Sequence, residues 1–213
     1  RPEFQDDVAV RPGVGLAVRR HQVLPVRAND QRAQFVAGVD EEVAGVTCVV
    51  ALGITVVNKA DELSRAMIDA YVYCDVAIIE KFVKGTELAI SVIDLGSGPI
   101  ALPAIEIEPV AGNYGYDERY TAGETNFYVP ARLPKTQLDR AAKTAILVHE
   151  TLGLRHLSRI DLIVDKKGTA WFLEANVMPG LTETSLLPQS VTANGNSLGE
   201  VYYSIAEAAL RGR

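Results

Sequence analysis

Arg159-Ile160-Asp161 and Glu174-Ala175-Asn176 are the residues of this chain best equipped for chemistry. Both triplets lie in alternating runs, Ser158 to Asp165 and Ala170 to Asn176, separated by Lys166-Lys167-Gly168-Thr169. Such alternation predicts two half-buried strands. Lys167-Gly168 fits a two-residue hairpin turn, because glycine accepts positive φ. In that register Asp161 faces Glu174 and Arg159 faces Asn176, and all four project from one side. Two directly opposed carboxylates repel unless a cation lies between them. Two carboxylates with an amide oxygen form a hard oxygen site, suited to Mg²⁺ carrying a nucleotide phosphate. Leu162, Val164, Trp171 and Leu173 are assigned to the opposite, core-facing side. A surface hairpin with ordinary charges is the competing reading, and the rest of the chain must decide between them.

The elements that position this hairpin become readable from Ala51 onward. Gly53 to Val57 reads as a strand. Asn58 is placed to cap the following helix, with Asp61 as a weaker capping-box partner. Ala60, Leu63, Ala66, Met67 and Ala70 form its apolar stripe. Val76 to Glu80 and Leu88 to Ile93 read as strands around a bend at Lys84-Gly85. Gly96-Ser97-Gly98-Pro99 is a turn, followed by short strands near Ile100–Leu102 and Ile105–Ile107. Residues 111–125 lack periodicity, and a loop of that length inside a domain is usually functional or disordered. Gln137 to Leu152 reads as a helix before the hairpin, and Ser197 with Glu200 as a capping box for the last helix. The class is α+β with a substantial antiparallel sheet. Residues 1–50 are rich in Val and Arg, hold no Lys, Ile, Tyr or Trp, and keep no steady period, so no element is assigned there.

The 213 residues allow one large domain or two small ones. A hydrophobic share of 48% with 23% charged residues is that of a soluble globular protein. The net charge of −6 argues against nucleic acid as a main partner. No apolar run reaches membrane-spanning length, and no secretory signal opens the chain, so no membrane association and a cytoplasmic location are expected. Cys48 and Cys74 lie far apart without metal spacing and read as reduced core or boundary residues. His21, His149 and His156 make no ligand pair and are given structural or surface roles.

A series of motifs in order marks a family. These are Ile79 to Glu87 (IEKFVKGTE), Leu102-Pro103 with Glu106-Ile107-Glu108-Pro109, Tyr114 to Tyr120 (YGYDERY), Pro130-Ala131, Arg159-Ile160-Asp161, and Glu174 to Gly180 (EANVMPG) with Thr182 and Ser185-Leu186. Residues 51–213 resemble the D-alanine–D-alanine ligases of the ATP-grasp superfamily. The resemblance implies an ATP-grasp fold of antiparallel sheets with packed helices. It also implies ATP-dependent joining of two D-alanine molecules through an acyl phosphate, for peptidoglycan precursors.

It further implies site roles. Main-chain groups of Lys81 and Val83, in the linker Glu80-Lys81-Phe82-Val83, would bind the adenine edge, Glu80 its amino group and Glu87 the ribose. A half-buried strand with solvated ends is the plain alternative for that segment. Asp161, Glu174 and Asn176 would hold two Mg²⁺ ions, with Mn²⁺ as a substitute and Glu174 bridging. Arg159 would stabilise the transferring phosphoryl group. Gly180 N–H, with Arg159, would stabilise the tetrahedral oxyanion. Ser185 and the Leu186 N–H would bind the second D-alanine's carboxylate. Residues 111–125 match the family's mobile loop, which excludes water from the acyl phosphate. Its Tyr120 favours an amine nucleophile, and Arg119 stands where a phosphate-binding lysine is common.

The resemblance has gaps. The family's Lys-Pro and Gly/Ser-rich phosphate loop should precede Gly53 to Val57. The chain there reads Gly45 to Gly53 (GVTCVVALG), with no lysine before Lys59. The N-terminal domain, which usually forms the family's homodimer, is missing or unrecognisable. The expected division is an atypical segment 1–50, part of the central ATP-grasp subdomain over 51–80, and a C-terminal catalytic domain over 81–213. Two alternatives stay open: another ATP-grasp carboxylate–amine ligase, and a non-catalytic nucleotide-binding fragment.

Overall fold

A computed structural model describes residues 17–18, 26–27, 44–48, 55–73, 76–110 and 125–211. Eleven strands among these form two sheets. The smaller sheet runs β2 (Val26–Arg27), β5 (Val76–Lys81), β3 (Ala44–Cys48) and β4 (Thr55–Val57), with antiparallel pairing throughout. Helix α1 (Leu63–Tyr71) packs on it through Leu63, Ala66, Met67 and Ala70, the i, i+3, i+4, i+7 stripe of an amphipathic helix, against Val57 and Ile79. Ala60 lies outside that stripe, exposed in a short 3-10 turn over Ala60–Glu62. The Asn58 cap is also corrected. The Asn58 N–H instead donates to Glu62 Oε2 at 2.9 Å, and no side chain caps either start.

The larger sheet has seven strands in the order β1 (Ala17–Val18), β11 (Ala170–Asn176), β10 (Leu157–Asp165), β6 (Gly85–Asp94), β8 (Ile105–Pro109) and β9 (Thr125–Tyr128), with β7 (Pro99–Ala101) also paired to β6. Among the described residues only the β1–β11 pair is parallel. Phe82-Val83-Lys84 joins β5 of the small sheet to β6 of the large one. The first fifty residues thus contribute β1, β2 and β3, none of which their irregular apolar pattern announced.

Both faces of the large sheet are covered. Helix α2 (Lys135–Thr151) buries Ala141, Ala145 and Val148 against Leu88, Ile90 and Val92 of β6 and Ile160, Leu162 and Val164 of β10. It stops at Gly153, whose φ of 61° suits glycine; the Leu154 N–H returns to the His149 carbonyl at 2.9 Å. Helices α3 (Leu186–Ala193) and α4 (Leu198–Leu210) cover the other face. Leu187, Val191 and Val201 pack with Ile93 and Leu102, while Leu186 packs on Ala89, Ile105 and Ile107. Ser197 Oγ accepts from the Glu200 N–H at 3.5 Å, as the capping-box reading anticipated. Helix α3 had no counterpart in the sequence reading. Pro188 and a short apolar run gave no helical period there.

His149 belongs to the core between α2 and β10. It is 1% exposed, and its Nδ1 lies 2.8 Å from Ser158 Oγ. Burial holds the imidazole below its ordinary value, against the opposing pull of Asp94 and Glu150. The unfolded chain then takes up a proton that the folded chain refuses. This contribution is fully present above the ordinary pKa of 6.5 and falls as pH drops below it, until the folded imidazole protonates in turn. Urea melts between pH 7.5 and 5 should show stability falling with pH. His149→Phe, which removes the titrating group, should flatten that slope.

Candidate functional site

The site is built on the β10–β11 hairpin, and its register differs from the simple one near the turn. The turn holds three residues, Lys166-Lys167-Gly168, not two. Asp165 N–H donates to the Thr169 carbonyl at 3.0 Å, and Gly168 N–H to the Asp165 carbonyl at 2.9 Å. Gly168 has φ 77°, the left-handed residue that three-residue hairpin loops require. Asp165 Oδ1 also accepts from the Lys167 and Thr169 N–H groups at 2.8 and 2.9 Å.

This turn moves the register by one residue, pairing Leu162 with Phe172 and Ile163 with Trp171. A β-bulge between Asp161 and Leu162 then absorbs Leu173 and restores the expected pairs, Asp161 with Glu174 and Arg159 with Asn176. The assignment of Trp171 and Leu173 to the core is therefore corrected. Trp171 pairs with Ile163 on the Asp161 side, and its Nε1 donates to Asp165 Oδ2 at 3.0 Å. Trp171 and its backbone neighbours hold Asp165 below the usual carboxylate range. Phe172 takes the core position beside Leu162, and Leu173 stays half-buried.

Cross-strand pairs share a face, so the register maps the surroundings. Asn176, Arg159 and Ser91 form one row, and Glu174, Asp161, Ala89 and Ile105 the next. Trp171, Ile163, Glu87, Ile107 and Phe127 form the third. Glu87 thus stands on the same face as Asp161, one strand away. Leu186, at the start of α3, packs on this face as well.

The two hairpin carboxylates have different environments. Glu174 is exposed, while the Asp161 side chain is 6% exposed. Arg159 Nε and Nη2 donate to Asp161 Oδ1 and Oδ2, each at 2.8 Å. The cation demanded by opposed carboxylates is therefore supplied, in part, from the hairpin itself.

Residues 177–184 follow β11 and are fastened at several points. Tyr202 Oη donates to the Leu181 carbonyl at 2.9 Å, and Gln189 Nε2 to the Thr184 carbonyl at 2.9 Å. Thr182 Oγ1 lies 2.8 Å from Ser185 Oγ. These contacts bring Gly180 against Ser185 at the head of α3. A Cβ on Gly180 would stand 2.5 Å from Ser185 Oγ and 3.1 Å from its Cβ, so any larger residue would have to turn the Ser185 hydroxyl aside. Leu186 is the first residue of α3, whose N-terminal amides carry partial positive charge.

Val83 is buried and Phe82 exposed in the connection between the sheets. The backbones of Glu80 and Lys81 pair with Gly45 and Ala44 of β3; their side chains lie outside the described residues. Arg119 and Tyr120 also lie outside them, as do Cys74, His21 and the 49–54 connection between β3 and β4. Among the described residues, no three His, Cys, Asp or Glu side chains gather to hold a metal. The donor set at the hairpin is two carboxylates and one amide.

A charged cluster to which the sequence reading gave no role lies on the opposite face, on β8, β9 and Arg132 beyond them. Arg132 donates through its backbone N–H and Nε to Glu106 Oε2 at 2.8 and 3.2 Å, and through Nη2 to Glu106 Oε1 at 2.7 Å. Nη2 also reaches Glu108 Oε1 at 2.9 Å, and the guanidinium stacks 3.4 Å from the Tyr128 ring centre. Tyr128 Oη completes the ring by donating to Glu108 Oε2 at 2.9 Å. Arg132's hydrogen bond holds Glu106 below the usual carboxylate range; Tyr128 and then Arg132 do the same for Glu108. The available signal was the Glu106/Glu108 spacing, which puts both acids on one face of β8.

The D-ala D-ala ligase C-terminus family model matches residues 38–206, taking in β3 as well as the motifs from residue 51 onward. A D-alanine–D-alanine ligase of Pelotomaculum thermopropionicum is 38% identical over 159 residues, 75% of this chain and 50% of that protein. Another, from Anaeromyxobacter dehalogenans, is 36% identical over 208 residues, 94% of this chain and 65% of that protein. The chain therefore spans between half and just under two thirds of these curated relatives. Among solved structures, the VanG D-Ala:D-Ser ligase from Enterococcus faecalis gives a TM-score of 0.78 over 91% of this chain and 57% of that one, a likeness of fold at 24% identity. The D-alanine–D-alanine ligase from Bacillus anthracis complexed with ATP gives 0.62 at 27% identity, over 79% of this chain and 51% of that one.

Proposed function

This chain belongs to the D-ala D-ala ligase C-terminus family, and on that premise we propose that it carries the nucleotide- and metal-binding region of an ATP-dependent D-alanine–D-alanine ligase. Such an enzyme supplies peptidoglycan precursors in the cytoplasm. The fold is α+β, of the ATP-grasp type. No helix among the described residues is long and apolar enough to cross a membrane. The central observation is the hairpin register, which opposes Asp161 to Glu174 and Arg159 to Asn176 on one face.

The proposed division keeps residues 51–80 in the central subdomain and 81–213 in the catalytic one, with the adenine held between them. Main-chain groups of Lys81 and Val83 bind its edge, and Glu80 its amino group. Glu87 binds the ribose from the same sheet face as the hairpin. Asp161, Glu174 and Asn176 are hard oxygen donors that fit Mg²⁺ or Mn²⁺. Two such ions would neutralise the β- and γ-phosphates of bound ATP.

A carboxylate oxygen of the first D-alanine attacks the γ-phosphorus. The bond from that phosphorus to the β-phosphate oxygen breaks, leaving ADP and an acyl phosphate. Arg159 spreads its planar fork against the charge on the phosphoryl oxygens. The amine of the second D-alanine attacks the acyl carbon, the carbon–oxygen bond to phosphate breaks, and the amine proton departs. Gly180 N–H and Arg159 stabilise the oxyanion between those events. Ser185 and the Leu186 N–H hold the second D-alanine's carboxylate, helped by the amides at the head of α3. Tyr120 and Arg119 keep the roles implied by the resemblance, and a homodimer is the expected assembly.

Phosphate release from Mg·ATP with D-alanine, D-serine, D-lactate and L-alanine tests the reading. D-alanine should drive release and yield the D-alanine dipeptide. Release with another amino acid alone would move the chain to a different carboxylate–amine ligase. ATP binding without release for any acceptor would make it a non-catalytic module.

A further inference from the structure

We propose that Arg159 is a built-in counter-ion that closes the hairpin site when no metal is bound, and that the metal and Arg159 compete for Asp161. This rests on the reading of Asp161 and Glu174 as metal ligands and adds a regulation of that site.

Arg159 and Asp161 are two apart on β10, so alternation puts both on the same face without help from another element. The guanidinium forks onto the carboxylate, one donor to each oxygen, both at 2.8 Å. The two side chains are only 16% and 6% exposed, so water screens the pair weakly. A divalent cation at the same carboxylate would lie within ion-pair distance of the guanidinium, and two positive charges that close repel. The two cations are therefore alternatives on Asp161.

Release needs only side-chain torsions of Arg159, because the strand pairing that fixes both residues is untouched. The consequence is an order of events. Without metal, Asp161 keeps Arg159 as its counter-ion. When a metal-bound nucleotide arrives, Asp161 changes partner, and the guanidinium becomes available to the phosphoryl group on the same face. The positive charge that assists transfer is thereby withheld until the metal is in place.

The test is binding of Mn²⁺ alone, without nucleotide, to the 213-residue chain, read from the electron paramagnetic resonance signal of free Mn²⁺. Arg159→Lys and Arg159→Met should each bind Mn²⁺ at least about five-fold tighter than the unaltered chain, the low end of a coupling between competing sites. Asp161→Asn should bind far more weakly. Arg159→Lys is decisive, because it keeps the charge but loses the fork. It also keeps the test available if Arg159→Met melts before it can be measured. Unchanged or weaker Mn²⁺ binding in Arg159→Lys, with Asp161→Asn still weakened, would overturn the competition while leaving the metal site standing. Mn²⁺ binding indifferent to Asp161→Asn would overturn the metal site and the competition together.

Discussion

Glu174→Gln is expected to lower Mg·ATP-dependent phosphate release by about 10²-fold or more, the scale for removing one preorganised charge-stabilising group. Glutamine keeps the size of the side chain and its place on β11 opposite Asp161. What it removes is one of the two negative charges that make the hairpin attractive to a divalent cation. Glu174 is exposed, so its replacement should leave the melting temperature nearly unchanged. Asp161→Asn should be at least as damaging to turnover and should also lower the melting temperature. It breaks a fork between two poorly exposed charges and leaves the guanidinium facing a neutral amide. Loss of turnover with and without loss of stability, read by phosphate release and thermal melts, separates the two carboxylates. Equal turnover in Glu174→Gln and the unaltered chain would remove that residue from the site.

Gly85→Ala should clearly destabilise the large sheet. A Cβ there would stand 2.7 Å from Ile163 Cγ2 and 2.8 Å from the Val164 carbonyl carbon. The obstacle is largely the backbone of β10, which β6 and β11 hold on either side. Neither strand can move without disturbing the rows that carry Asp161 and Glu87. Overpacking of this kind costs about 3 kcal/mol. In a chain of this size that is a fall of roughly 6–12 °C in melting temperature. Gly199→Ala is the matched control. It lies in α4, its nearest neighbour for an added Cβ is Ser197 Oγ at 3.9 Å, and it should melt no lower than the unaltered chain. Because Gly85 opens β6 two residues before Glu87, nucleotide affinity should fall along with stability.

The hairpin shows how far local rules carry a reading. Alternation correctly opposed Asp161 to Glu174, yet the intermediate steps were wrong. The turn has one residue more than Lys167-Gly168 suggested, and the bulge at Leu173 compensates for it. Both features depend on the Asp165 side chain and on packing across three strands, which period-two counting does not contain. Trp171 was misplaced for the same reason: counting by twos from Glu174 put it on the core side, and the bulge returns it to the Asp161 side, where its indole meets Asp165. The strong helical stripes of α1 and α2 were legible because propensity and burial agree. Strands β1, β2 and β3 were not, since the apolar positions of the first fifty residues keep no steady period from which a face could be read. The Arg132 cluster escaped because it joins β8, β9 and the segment beyond them, a juxtaposition only the folded sheet creates.

The Asp161–Glu174 face is proposed to hold the metal of a bound nucleotide. Crystals of the chain grown with Mn²⁺ and ADP, measured for anomalous scattering from manganese, address it most directly. Anomalous density is expected between the Asp161 and Glu174 carboxylates, with Asn176 beside it and Arg159 turned away from Asp161. Bound ADP with manganese elsewhere, and the Arg159–Asp161 fork still closed, would contradict it.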